Sequence, residues 1–461
     1  MTIHQTKIRP AITAAEQRFL DVYASVSAKL PGARHEAVRA WRDAARDVFL
    51  GLGVPHRRVE AWKYTDLRAL LPEVLPLAGA EAKTARQADF QSAALTSDVS
   101  LEAAIGTPLA ELDAYRAVFV DGRFRADLSS IQTAQGVTFH PLGEALEADD
   151  ASGTVAKLAF GERDVIAALS TSLATDGAIL SVAPQTRLEK PIHLIFIAAG
   201  GKPSLTAALH HISIGEGADV SIVETHETPG SQALSYTKLA IGAGASVKHI
   251  RLSASEAAKQ LSSAAVTLAE RAHYEPLQIA INGQLMRAEA TIRFEGENAK
   301  CHYSGAMLLR AHAHADFTLV VDHAVPHCES RELVKAVLDG RSRGVFQGKV
   351  VVEPGAQKTD GKQMANALLL SDEAEFDSKP ELEIFADDVV CGHGSTAGQL
   401  DEDMMFYIQA RGIPEAEARA LLIAAFVGQA LDGIGNEALR TALDEKVAAW
   451  LTNVPAIGEA R

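Results

Sequence analysis

The segment Ile214-Gly215-Glu216-Gly217-Ala218-Asp219-Val220 recurs as Ile241-Gly242-Ala243-Gly244-Ala245-Ser246-Val247, with five of seven positions identical. The offset is about 27 residues, and self-similarity at a period of about 20–50 residues marks a stacked repeat. Weaker echoes stand at Phe294-Glu295-Gly296 and at Val352-Glu353-Pro354-Gly355-Ala356, where Gly355 follows Gly217 by close to five such periods. Flanking segments alternate as strands do: Val220-Ser221-Ile222, Val247 to Leu252 and Thr291 to Phe294. Short strands with Gly or Pro at the corners and no intervening helical pattern predict a parallel β-helix, each coil burying its inward residues on the next. Aromatic residues make up 5% of the chain, which suits a narrow cylinder filled by Val, Ile, Leu and Ala. A two-sheet antiparallel sandwich is the competing reading. A stack of coils also needs covered ends.

Helical patterns flank this core. From Ala11 to Leu52 apolar residues recur with helical spacing, interrupted at Pro31-Gly32 and closed by Gly51 and Gly53, which predicts a helical hairpin. Beyond it, Arg57 to Leu67 mixes charges with Trp62 and Tyr64, and an Ala-rich stretch runs to Ser152. From Asp401 helical rhythm returns: carboxylates in a first turn, an end at Arg411-Gly412, a second helix opened by Pro414 and a third capped by Asn436. The expected organisation is an N-terminal helical and mixed region over 1–152, a β-helix over 153–400 and a C-terminal helical domain over 401–461.

Charge and composition exclude several classes. Lys and Arg total 44 against 59 Asp and Glu, a net charge of −15 that repels phosphate backbones and argues against nucleic acid as a partner. The longest apolar stretch, Ala420 to Val427, is too short to cross a bilayer, and the start Met1 to Pro10 is too polar for a secretory signal. Three cysteines, Cys301, Cys328 and Cys391, argue against a disulfide framework and for the reducing cytoplasm. No G-x-x-x-x-G-K-[ST], G-x-S-x-G or H-E-x-x-H occurs, and Gly242-Ala243-Gly244 lacks the third glycine of a dinucleotide loop, so no nucleotide is expected on this chain.

Two groups of residues could ligate metal. His302, His312, His314, His323 and His327 crowd into the single stretch bounded by Cys301 and Cys328, and His312-Ala313-His314 would put two imidazoles on one strand face. The plainer account makes these a solvated face with buried cysteines beside it. Cys391 and His393 are two apart in what reads as the last strand, so a thiolate and an imidazole leave the same face, and Gly392 and Gly394 add no bulk beside them. One Cys and one His do not close a tetrahedral site alone, and a glycine-rich exit turn is the alternative. Phe406 and Tyr407, just ahead of the Arg411-Gly412-Ile413 helix junction, form an aromatic anchor of the kind that dominates interfaces.

The ordered set Arg58-Val59-Glu60-Ala61-Trp62-Lys63-Tyr64-Thr65, Gly340 to Gly348, Lys358-Thr359-Asp360-Gly361-Lys362-Gln363, Asp377 to Ile384, Cys391-Gly392-His393-Gly394 and Phe406 to Ile413 resembles the SufB/SufD family of the SUF iron-sulfur cluster assembly machinery, on its SufD side, over nearly the whole chain. The resemblance implies a right-handed parallel β-helix between helical regions, and a complex with a SufB-like paralogue and a SufC-like ABC ATPase. It implies a homodimer when the chain is isolated, and no catalysis by this chain itself. His393 corresponds to the histidine that the SufD side offers across the paralogue interface to a transient iron-sulfur cluster or iron, with Cys391 beside it. Phe406, Tyr407, Arg411, Gly412 and Ile413 become candidate partner-binding residues. Where SufB carries its thiolate, near Leu370, this chain has only leucines, a departure that sets it apart from the SufB side. Two readings of other classes compete. One is a polysaccharide-active β-helix enzyme recruiting Asp387-Asp388 and Asp372-Glu373. The other is a purely structural solenoid adaptor.

Overall fold

The computed structural model of the chain describes residues 12–78, 100–161, 163–199 and 201–452; the start Met1 to Pro10 lies outside them. Its strands are β1 (Tyr115–Val120), β2 (Arg123–Phe124), β3 (Val137–Pro141), β4 (Ala178–Val182), β5 (Ile192–Ile197), β6 (Leu205–Ile214), β7 (Asp219–Glu227), β8 (Gln232–Ile241), β9 (Ser246–Ser253), β10 (Lys259–Leu268), β11 (His273–Ile281), β12 (Leu285–Phe294), β13 (Lys300–Leu309), β14 (His314–His323), β15 (Glu329–Leu338), β16 (Arg343–Val352), β17 (Asp360–Leu369), β18 (Glu375–Ile384) and β19 (Val390–Gly398). From β4 onward the chain alternates between two sheets, even strands pairing with even and odd with odd, all parallel. This is the parallel β-solenoid that the repeat predicts, and the antiparallel sandwich is excluded. Among the described residues antiparallel strands appear only at the first end, β2 against β1 and β3 against β4. The sheets thus take three strands from 115–141, ahead of the segment 153–400 expected to hold the solenoid.

The repeated glycines are corner residues. Gly217 and Gly244 have φ of 64° and 63°, and Arg271, Asn298, His327 and Lys358 carry the same left-handed conformation in the coils that follow. Gly217 N–H donates to Ala243 O at 2.9 Å and Gly244 N–H to Glu270 O at 2.8 Å, so each corner is bonded to the next. The register that pairs Val220 with Val247 makes the offset between the two sequence copies one coil. Five coils beyond Gly217 the left-handed position is Lys358, with φ 63°, and not Gly355, because later coils are longer than the one between Gly217 and Gly244.

Inside, Ile241, Leu268 and Phe294 stack from coil to coil in one column of the even sheet and Val266, Ile292, Val321 and Val350 in the next. The interior also holds large rings, Phe294, Phe317 and Phe346, which small aliphatic residues alone were expected to replace. Glycines make the room: a Cβ on Gly305 would stand 3.0 Å from the Phe317 ring, and one on Gly348 2.8 Å from that of Phe346.

Helices of eight or more residues among the described residues are α1 (Ala14–Val26), α2 (Glu36–Leu52), α3 (Val165–Leu173), α4 (Glu402–Gln409), α5 (Glu415–Leu431) and α6 (Glu437–Thr452). The N-terminal elements cover the outer face of the even sheet, where Phe19, Trp62, Ile166 and Leu169 meet Leu205, Leu234, Leu261 and Leu285. Helices α5 and α6 cover the odd sheet, with Ile423, Val427, Val447 and Trp450 against Val223, Ile250, Ile279 and Leu308. Asn436 caps α6 through Leu439 N–H at 2.9 Å, as the sequence predicts, while Asp401, expected within a first turn, is instead the cap of α4 and accepts from Met404 N–H. No helix of the described residues is long and apolar enough to cross a membrane.

The charged and aromatic segment after α2 is a clamp on the even sheet. Trp62 lies over the fully buried Arg287, guanidinium carbon 3.9 Å from the ring centroid. Arg287 also pairs with Asp316 and Glu289 and donates to Ala61 O at 2.7 Å, while Gln347 reaches the same carbonyl at 3.2 Å. Thr65 bonds Asp316 and, at 2.9 Å, His314 Nε2; Glu60 pairs with Lys379. Buried charge is retained here because every partner is hydrogen bonded.

Candidate functional site at the open end of the solenoid

Among the described residues, strand β19 closes the odd sheet and has no strand beyond it. Its register on β17 sets Cys391 beside Gly361 and His393 beside Gln363. In β17 the buried residues are Gly361, Gln363, Ala365 and Ala367, so Cys391 and His393 extend the column of interior positions past the last covered coil. The two expected ligands do share one face, but they stand in different surroundings. Cys391 is half-buried, its Sγ 3.6 Å from where a Cβ on Gly361 would sit, and burial pushes its thiol pKa up, favouring the protonated form. His393 is exposed. A Cβ on Gly394 would stand 2.9 Å from the Met364 methyl, whereas one on Gly392 would meet nothing, so the flanking glycines leave the imidazole uncrowded on one side.

Beneath His393 runs a polar track that sequence reasoning missed. Register places Gln363 over Glu332 of β15, and Glu332 over Tyr303 of β13. Glu332 is buried, neither of its oxygens makes a well-formed hydrogen bond, and desolvation pushes its pKa up to about 8, moderated by the neighbouring Gln363 amide. At neutral pH this carboxyl holds its proton. The available signal was the alternation of β15, in which Ser330, Glu332, Val334 and Ala336 fall on one face.

The surrounding edge is apolar and uncovered. Phe385 and Val390 are each 62% exposed, and Ile384 and Met364 are also exposed. Phe406 and Tyr407 of α4 are 74% and 57% exposed, and α4 buries no side chain. Arg411 stacks on the Tyr407 ring, 3.5 Å from its centroid, and donates to Tyr407 O at 3.0 Å. Gly412, with φ 86°, turns the chain toward α5, and Ile413 is half-buried.

The histidine-rich segment does not form one site. His314 is outside the even sheet against Thr65, His323 is interior and bonded to Ser330 Oγ at 2.9 Å, and His302 faces outward from the odd sheet toward Glu329. His312 precedes β14 rather than lying in it, so it shares no strand face with His314, and His327 is a left-handed corner. Cys301 and Cys328 are buried. Nor do the acidic pairs face each other across a groove: Glu373 pairs with Arg341 and Asp388 with Lys358, at corners on opposite ends of β18.

Comparison with known proteins accords with this architecture. Residues 13–194 match the SufBD protein N-terminal region, and residues 196–426 match the SufBD core domain of SUF system FeS cluster assembly. The iron-sulfur cluster assembly protein SufD of Escherichia coli is 30% identical over 85% of this chain and 88% of its own length. A SufBD family protein of Synechocystis is 28% identical over 97% of this chain and 96% of its own. The SufD of Bacillus subtilis is 25% identical over 60% of this chain and 65% of its own. With an N-terminal region and a core that both match and a SufD relative aligned along most of its length, this chain belongs to the SufBD family of iron-sulfur cluster assembly proteins.

Proposed function

We propose that this chain is the SufD-like subunit of a cytoplasmic SUF complex, presenting His393 to a SufB-like paralogue on which a nascent iron-sulfur cluster is built. The observation that carries this reading is the exposure of His393 on β19, the uncovered last strand of the odd sheet. An imidazole there can be one ligand to iron while the paralogue supplies thiolate, and a mixed ligand set releases its cargo more readily than four thiolates. The bare edges of β18 and β19 offer backbone donors and acceptors to the paralogue's own last strands. Cys391 contributes packing, its thiol held protonated by burial. ATP is handled by a SufC-like ATPase docking on Phe406, Tyr407 and the Arg411-Gly412-Ile413 turn, and this chain performs no hydrolysis.

The test is co-expression of the three subunits with His393→Ala. The variant complex should assemble and fail to acquire iron and sulfide, whereas Cys391→Ser should retain most of both. Cluster loading by His393→Ala at the unmodified rate would overturn the reading. Loss of the folded complex would make His393 a structural residue instead.

A further inference from the structure

Away from the solenoid's open end, the outer face of the odd sheet carries a second set of metal-ligating side chains. The register that pairs His273 with Lys300 and Leu277 with Ser304 sets Glu275 of β11 opposite His302 of β13. His273 shares their face, two residues before Glu275. One ligand atom from each of His273, Glu275 and His302 lies within 4.8 Å of the others. Ligands about 2.1 Å from a common ion stand roughly 3–4 Å apart, so small side-chain rotations suffice to close the set.

We propose that His273, Glu275 and His302 bind a divalent first-row transition-metal ion of the Zn2+, Co2+ or Fe2+ class. Two imidazoles and one carboxylate are a donor set these ions favour over Mg2+ or Ca2+. The site has the surroundings such a centre needs. Glu329 lies 2.9 Å from His302 Nε2, a carboxylate able to orient the ring or join the ligand set. His273 Nε2 is shut from solvent and, although 3.2 Å from Glu275 Oε1, makes no well-aligned hydrogen bond, so a ring nitrogen is left unused inside the cluster. Glu275 and His302 line a cavity of about 120 Å³ together with Gly433 and Ile434, with room for water or an exchangeable ligand on the ion.

Lys248 competes for the same carboxylate. Its Nζ is 3.4 Å from Glu275 Oε2 and donates to Gly433 O at 2.8 Å. Metal binding would take Glu275 from this pair and leave Lys248 on the Gly433 carbonyl. Lys300, 3.9 Å from Glu329, adds a more distant opposing charge.

The experiment titrates the purified full chain with Co2+ alone, reading the visible band of four- or five-coordinate Co2+, and counts bound Zn2+ by equilibrium dialysis. Unmodified protein should develop the band, and Zn2+ should abolish it. His273→Ala and His302→Ala should each remove the band and lower bound Zn2+ by one equivalent, while His393→Ala and His312→Ala keep both, which separates this site from the proposed cluster site. Lys248→Ala should tighten Co2+ binding, an effect that a merely structural ion pair would not produce. If His302→Ala does not fold, His302→Gln preserves a polar side chain and serves in its place. No band with unmodified protein, or unchanged Zn2+ stoichiometry in the histidine variants, would overturn the proposal.

Discussion

Trp62 and Arg287, far apart in the chain, meet with the guanidinium carbon over the indole ring, 3.9 Å from its centroid. The contact fastens the segment after α2 to the even sheet, and it sits over the buried pair of Arg287 and Asp316. Trp62→Ala should therefore destabilise the chain by about 3–5 kcal/mol, combining lost ring burial with a freshly exposed charge cluster. Urea unfolding would measure this, and limited proteolysis should cut first near residues 57–67.

Corner geometry gives a pair of opposed changes. A Cβ on Gly244 would meet no atom within 4 Å, so Gly244→Ala should cost only the left-handed backbone term of about 1–2 kcal/mol. Gly217→Ala should cost more, because its Cβ would press on the Gln185 amide. Arg271→Gly, at φ 55°, should stabilise by up to about 1 kcal/mol. Thermal melts of the three variants would rank them.

Acid should weaken the fold before it protonates most carboxylates. Burial pushes His193 down to about 3, and His210, His226, His314 and His323 to about 4, and the neutral His210 ring accepts Ala178 N–H at 3.1 Å. The unfolded chain takes up these protons near pH 6.5 and the folded chain does not. Their stabilisation is thus complete above pH 6.5 and is lost as pH falls toward 4, by up to about 3 kcal/mol apiece. Urea midpoints at pH 7 and pH 5 would show the fall.

Glu332 works in the opposite direction. Its folded pKa of about 8 exceeds the ordinary 4.5, so its contribution is greatest below pH 4.5 and declines as pH rises to 8. Glu332→Gln should flatten the stability profile on that side and leave the acid limb unchanged, as read from melting temperature across pH 5 to 9.

Removing residues 401–461 would bare Val223, Ile250, Ile279 and Leu308 beneath α5 and α6, so the truncated solenoid should lose solubility as well as any partner contact. Phe406→Ala is the cleaner probe: with the ring 74% exposed, stability should change by less than about 0.5 kcal/mol while ATPase binding, measured by calorimetry, is lost.

The solenoid was readable where its corners demanded glycine. At Arg271, Asn298, His327 and Lys358 the same conformation is met by residues with side chains, which leaves no mark in the sequence, and lengthening coils break the period as well. His302 and His314 look like neighbours along the chain, yet each passage round a corner moves the chain to the other sheet. Conversely Glu275 and His302, well separated in the sequence, are adjacent because the distance between them is one coil; the repeat already contained this signal. The place of His393 on a last strand was legible, while Glu332 resembled any surface carboxylate until the register turned it inward.

The two ends of the solenoid are unlike. One terminates in β2 and β3, short strands running against their neighbours, while the other leaves β18 and β19 bare. A rod with a single adhesive end can annul it against one other such rod, and the product has nothing left to add to. Self-association confined to these edges would therefore end at two chains, whereas the same parallel strands, open at both ends, would propagate without limit.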